Sequence, residues 1–225
     1  MGNSQSACRF RQSRSPLRAT ISIAGLLPGR TGSGKTTLLS SLLSLVDPRE
    51  RIVLVEDAAE LRPAHPHVVG LESRPANIEG AGAIDLRTLV RHALRMRPDR
   101  LVVGEVRGGE VVDLLAALNT GHDGGCGTLH ANSANDVPAR VEALALAAGL
   151  DRAATHSQFA SGVGAVIHLV RGPRGVRRVA EVSVPHRERS GLVSMLRAVT
   201  FRADGRAVEG PGADRLALLL AREPR

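Results

Sequence analysis

The 225-residue chain has no tryptophan or tyrosine and only three phenylalanines, so an aromatic platform for stacking single-stranded nucleic acid has almost nothing to be made from. Its two cysteines, Cys8 and Cys126, lie far apart and in different contexts. They do not form a disulfide framework, and a reducing, cytoplasmic setting is the simpler reading. No apolar run approaches the ~20 residues needed to span a bilayer, and no secretory signal pattern is present. Lysine is almost absent: of 30 basic residues only Lys35 is a lysine. The net charge of +8 therefore comes from arginines spread along the chain without a dense basic block. Charge alone does not make nucleic acid the expected partner.

What is present centres on that single lysine. Pro28 to Leu39 reads PGRTGSGKTTLL, with Gly29, four intervening residues, then Gly34-Lys35-Thr36. This is the G-x-x-x-x-G-K-[ST] spacing of a nucleotide phosphate loop. Glycines let the backbone curl so that successive N–H groups point at phosphate oxygens. A lysine brings a point charge to the β- and γ-phosphates, and a hydroxyl next to it can ligate Mg²⁺. Gly29, Arg30, Thr31, Gly32, Ser33, Gly34, Lys35, Thr36 and Thr37 are thus the candidate ATP cradle, with Thr36 as a metal ligand. The flanks agree. ATISIAGLL before the loop reads as a buried strand, and Leu38, Leu39, Leu42, Leu43 and Val46 after it fall at helical spacing until DPRE. A helix N-terminus behind a glycine-rich turn favours an anion.

Hydrolysis also needs carboxylates, and two apolar runs supply them at their C-terminal ends. RIVLVED delivers Glu56 and Asp57, with Glu60 soon after; RLVVGEV delivers Glu105. In an open parallel sheet both would converge on the end where the phosphate loop lies. Between them, IDLRTLVRHALRMRPD reads as a helix with Leu86, Leu89, Val90, Ala93 and Leu94 on one face and Arg87, Arg91 and Arg95 on another, stopped by Pro98. The arginine stripe is either a solvated face or the source of an arginine, as Arg97 and Arg107 could also be, that reaches a neighbouring subunit's nucleotide. NTGHDGGCGTLHAN then places His122 and His130 around a short strand, Cys126 to Leu129. Zinc lacks an evident fourth ligand in that spacing, and a γ-phosphate sensor is the better account of His130.

Four blocks in order, GRTGSGKTT, RIVLVEDAAEL, RLVVGEVRGGE and TGHDGGCGTLHAN, resemble the Walker A, aspartate, Walker B and histidine boxes of type II/IV secretion ATPases. HVVGLESRPANIEG and LVRHALRMRPDRLVVGEVRGGEVVDLLAALNTGHDG resemble the branch that powers Tad/Flp pilus assembly. The resemblance runs from about Thr31 to Val184. It implies an α/β fold: a RecA-like P-loop NTPase core with a mostly parallel central sheet flanked by helices. It further implies ATP hydrolysis with Mg²⁺, a hexamer, and an inner-membrane platform protein as partner at the cytoplasmic face. It assigns Lys35 and Thr36 to phosphate and Mg²⁺, and Glu105 to the Walker B carboxylate with a share in the metal. Glu56 becomes the water-positioning acid and His130 the sensor, while Arg107 and Arg74 lie near the nucleotide or subunit boundary. Two residues depart from the family pattern: Arg30 stands where a glycine is usual, and Pro28 is also foreign to it. The family's sizeable N-terminal domain has no counterpart ahead of Lys35, so the expectation is a motor domain shortened at its N-terminus. The expected layout is a disordered Arg/Ser-rich lead-in over 1–20, a motor domain over 21–186 and a C-terminal extension over 187–225. Within it DVPARVEALALAAGL and RAATHSQFASG read as helices, and AVIHLVRGPRGVRRVAEVSVPH as a hairpin turning at Gly-Pro-Arg-Gly. The tail offers at most a short strand around Leu192 to Leu196 and a closing helix.

Overall fold

Strands that are buried along most of their length must be covered on both faces, and such strands form the centre of the sheet. The computed structural model describes residues 25–121, 124–172 and 175–221. Its elements are β1 (Gly25–Pro28), α1 (Lys35–Leu43), β2 (Ile52–Glu56), β3 (Val68–Glu72), α2 (Leu86–Arg95), β4 (Arg100–Val106), α3 (Glu110–Leu118) and β5 (Cys126–Leu129). After a 3-10 turn at Ala134–Asp136 come α4 (Val137–Ala147), α5 (Arg152–Gly162), β6 (Ala165–Arg171), β7 (Arg177–Arg187), β8 (Val193–Phe201), β9 (Ala207–Glu209) and α6 (Ala213–Leu220). One nine-stranded sheet runs in the order β3-β2-β4-β5-β1-β6-β7-β8-β9. The pairs from β3 to β6 are parallel, and those from β6 to β9 are antiparallel. This is the RecA-like α/β core with its mostly parallel sheet, extended by a hairpin and a closing helix.

Alternation along the strands divides the core into two layers. Val53, Val55, Leu101 and Val103 face the side covered by α2 to α5. Ile52, Leu54, Val102 and Leu27 face α1 through Leu39, Leu43 and Val46. Burying each such side chain contributes roughly 1.5–3 kcal/mol, which fixes the register of the central strands. The consequence for function is positional. Because β1 to β6 run parallel, Pro28, Glu56, Val106, Leu129 and Arg171 all end at one rim of the sheet.

The sequence pattern and the structure agree on most of these elements and differ at their edges. The strand before the phosphate loop is described only from Gly25, its earlier residues lying outside the described set. Helix α2 is shorter than its pattern: Asp85 caps it by accepting from the Thr88 amide at 2.7 Å, and it ends at Arg95. Arg97 then turns to a φ of 51° ahead of Pro98, which disfavours right-handed helix in the residue before it. The tail holds more strand than expected. β8 spans nine residues, burying Val193, Met195 and Ala198, and continues the main sheet rather than standing apart from it.

Candidate functional site

The loop between β1 and α1 is built from positions where only glycine fits. A Cβ at Gly29 would stand 2.6 Å from Ser33 Oγ and 2.7 Å from the Leu169 carbonyl oxygen. Gly32 and Gly34 adopt φ of 73° and 94°, the left-handed region that other residues avoid. The two departures from the family pattern leave the backbone bonding of the loop intact. Arg30 contributes its backbone, its carbonyl accepting from the Ser33 amide at 3.1 Å, while its side chain is exposed. Pro28 ends β1, and the ladder to β5 closes through the Gly29 amide on the Leu129 carbonyl.

Lys35 opens α1 and is buried. Its Nζ donates to the carbonyls of Gly29 at 3.0 Å and Arg30 at 3.4 Å. Burial pulls its pKa below the ordinary lysine value, and attraction to Glu105 and Glu60 opposes that shift. The ammonium therefore faces two carboxylates, one from β4 and one from the loop after β2. Thr36 Oγ1 donates to Glu60 Oε2 at 3.4 Å. In the sequence Glu60 reads only as a trailing acid. No local signal singles it out, since its place depends on how the loop after β2 folds back.

Glu56 itself is placed differently. It is buried at the end of β2, and its Oε1 accepts the amides of Leu61 at 3.0 Å and Glu60 at 3.2 Å. Burial raises its pKa, partly countered by those two hydrogen bonds. A Cβ at Gly104 would lie 2.7 Å from Glu56 Cγ, so the adjacent strand makes room for this side chain. Glu56 thus holds the loop that carries Glu60.

Glu105 is aimed by an irregularity in β4. Against β5, Val103 pairs with Gly127 and Val106 with Leu129, so β4 carries one extra residue at Gly104–Glu105. Such a bulge redirects side chains at the end of a strand. The Thr128 hydroxyl pins it by donating to the Gly104 carbonyl. Glu105 Oε1 then meets His130 Nε2 at 2.5 Å. Arg107, two residues on, forms an ion pair with Asp57 and ties the two acidic loops together. Glu110 fixes the turn between them, its Oε1 accepting the amides of Arg107 at 2.6 Å and Gly108 at 2.7 Å.

The structure thus gathers the phosphate loop, Glu56, Glu60, Glu105, Arg107 and His130 at one rim. Other candidates fall elsewhere. Arg87 and Arg91 both bind Asp113 of α3, at 2.8 and 3.0 Å. Arg74 Nε donates to the Gly82 carbonyl at 2.9 Å, bracing its own loop. Cys126 is buried, which pushes its thiol up to about 12 and leaves it unreactive. His122 lies outside the described residues. No helix among the described residues is long and apolar enough to cross a membrane.

The residues present fit a polyphosphate with Mg²⁺. The cradle admits no Cβ at Gly29, and Ser33 Oγ is buried without a hydrogen-bond partner among the described residues. The Thr36 hydroxyl and the Glu60 carboxylate meet beside the loop, oxygen donors of the kind Mg²⁺ takes, and the Lys35 ammonium suits phosphate.

Comparison with known proteins agrees with this geometry. The family model for type II/IV secretion system proteins matches residues 15–206. A Mycobacterium tuberculosis protein named for conjugal transfer is 62% identical over 165 residues, 73% of this chain and 47% of that protein. The type IV secretion system protein PtlH of Bordetella pertussis is 41% identical over 160 residues, 68% of this chain and 47% of PtlH. The chain thus spans about half the length of the curated relatives it matches. Among solved structures, the VirB11 ATPase of the Brucella suis type IV secretion system aligns with a TM-score of 0.65 and 29% identity, over 74% of this chain and 50% of that one. The pilus retraction motor PilT with bound ADP aligns at 0.59 and 27%, over 75% and 50%. From its own site and these matches together, the chain belongs to the type II/IV secretion system ATPase family.

Proposed function

We propose that this chain is the ATP-hydrolysing motor domain of a secretion or pilus-assembly machine. One observation carries the reading: the Lys35 ammonium is buried within the phosphate loop on the Gly29 and Arg30 carbonyls, and Thr36 beside it meets the Glu60 carboxylate. In this reading the loop amides and Lys35 bind the β- and γ-phosphates. Mg²⁺, held through Thr36 with Glu105 nearby, neutralises phosphate charge when bound. Glu60 and Glu105 orient the attacking water, and His130 reports the γ-phosphate through its contact with Glu105. Glu56 acts one step back, keeping the Glu60 loop in place. Arg107 braces that arrangement through Asp57 and is exposed enough to reach a second subunit. A shared site of this kind fits a hexamer working beneath an inner-membrane platform protein, and the quoted sequence blocks favour the Tad/Flp pilus branch.

The test is phosphate release from MgATP measured against protein concentration, with molar mass determined in the same samples. The rate per chain is expected to climb as the protein assembles. Absence of release at every concentration would contradict a motor and leave a nucleotide-binding domain. A second reading, conjugative transfer, is favoured by the name of the 62% identical relative. It predicts stimulation of hydrolysis by DNA with a steep salt dependence.

A further inference from the structure

The acids of the site arrive from strands on one side of β1; two arginines arrive from the other. Arg171 closes β6, Arg177 opens β7, and the two are direct partners across the antiparallel ladder. Directly opposed residues leave a sheet on the same face. Both reach the phosphate loop. A Cβ on Gly32 would stand 3.7 Å from Arg171 Nη1, and one on Gly34 would stand 3.0 Å from Arg177 Cδ. The Arg177 stem therefore crosses the residue that caps α1, while the Arg171 guanidinium lies beside the turn of the loop.

Their surroundings differ from those of the arginines that the fold pairs with its own acids. Arg107 has Asp57, Arg87 and Arg91 share Asp113, and Arg197 has Glu181. Arg171 and Arg177 are exposed, and among the described residues neither side chain makes an ion pair or hydrogen bond. Like charges set directly opposite on adjacent strands repel each other. Here they sit against Gly32 and Gly34, at the positive end of α1. On this side of the loop no carboxylate among the described residues pairs with the two guanidinium groups, so their donors are open to an anion from outside. The planar fork of a guanidinium suits phosphate oxygens better than an ammonium does.

We propose that Arg171 and Arg177 form an intrasubunit clamp on the polyphosphate of the bound nucleotide, closing the cradle from the side opposite Glu60 and Glu105. The proposal rests on the nucleotide-binding reading above. It means that one chain supplies both walls of its phosphate site, whatever a neighbouring subunit adds.

The experiment is equilibrium binding of MgATP to the full chain, displaced by inorganic tripolyphosphate, in the parent and two double variants. One is Arg171→Gln with Arg177→Gln. The other, Arg187→Gln with Arg189→Gln, removes the same charge from the β7–β8 turn at the opposite rim. The first should weaken both ligands by about 10- to 100-fold, as expected for losing two charge-assisted contacts. The second should stay within about twofold of the parent, since salt screens distant charge. Parent affinity in the Arg171/Arg177 variant overturns the clamp and leaves the nucleotide site standing. So does a loss for ATP with none for tripolyphosphate, because the arginines would then serve the base or ribose. A parent that binds neither ligand overturns the nucleotide reading itself, and the clamp with it.

Discussion

Two histidine–glutamate pairs of this fold sit in unlike surroundings. His156 Nε2 meets Glu142 Oε2 at 2.8 Å, and their side chains are 5% and 18% exposed. The remaining polar atoms there are engaged as well, with His156 Nδ1 accepting the Val193 amide at 2.9 Å and Glu142 Oε1 taking Arg152 at 3.1 Å. The pair locks α4, α5 and β8 together. His130 and Glu105 meet at 2.5 Å, but are 42% and 35% exposed and stand at the rim beside Lys35. The chemistry of the residues is the same in both. What differs is whether the surroundings use up the pair's hydrogen-bonding capacity or leave it open to solvent.

The comparison can be broken by variants that ought to separate turnover from stability. Lys35→Ala should lose MgATP binding by about 100-fold or more while melting near the parent temperature, as titration and thermal unfolding would show. Glu105→Gln and Glu60→Gln should each keep binding but slow hydrolysis by about 100-fold or more. Glu56→Gln, which retains a carbonyl oxygen for the Glu60 and Leu61 amides, should keep turnover within about tenfold. A loss equal to that of Glu60→Gln would make Glu56 part of the chemistry instead. On the other side, His156→Ala should cost about 1–3 kcal/mol in denaturant unfolding by orphaning the Val193 amide, and leave turnover per folded chain unchanged.

Acidification sharpens the contrast with a smaller effect. The hydrogen bond from His156, with help from Arg152, holds the Glu142 carboxyl below its ordinary range. A depressed folded pKa gives stability that is present above about 4.3, the unfolded value, and lost as pH falls through the folded one. Glu142→Gln should therefore flatten the acid limb of unfolding free energy against pH. Glu56 has the opposite sign, since burial raises its pKa. Its ionisation opposes folding as pH rises through that raised value, so Glu56→Gln should gain stability at neutral pH. The smallest effect belongs to the Arg87 and Arg91 clasp. Asp113→Asn should cost about 1 kcal/mol or less in unfolding and nothing in turnover.

Much of this was legible in local pattern. The phosphate loop, β2, β4 and β5 are short-range signals, as are α4 and α5, and each stands close to where its spacing put it. Positions decided by long-range pairing were hidden. The bulge that turns Glu105 toward His130 depends on β5 lying beside β4, and Gly104 was its only mark in the sequence. Whether Glu56 or Glu60 meets Thr36 depends on how the loop after β2 folds back, which no spacing of acids reveals. The arginine stripe of α2 was half explained by Asp113, more than twenty residues away on α3. Likewise, Arg171 and Arg177 come to the phosphate loop only because β6 pairs with β1.

An experimental structure of the assembled protein with a non-hydrolysable MgATP analogue tests the central claim most directly. The triphosphate should lie against residues 32–36 with Lys35 Nζ on its oxygens, and with Glu60 and Glu105 on one flank. An analogue bound away from Lys35, or a cradle whose two acidic loops point elsewhere when it is filled, would contradict the account.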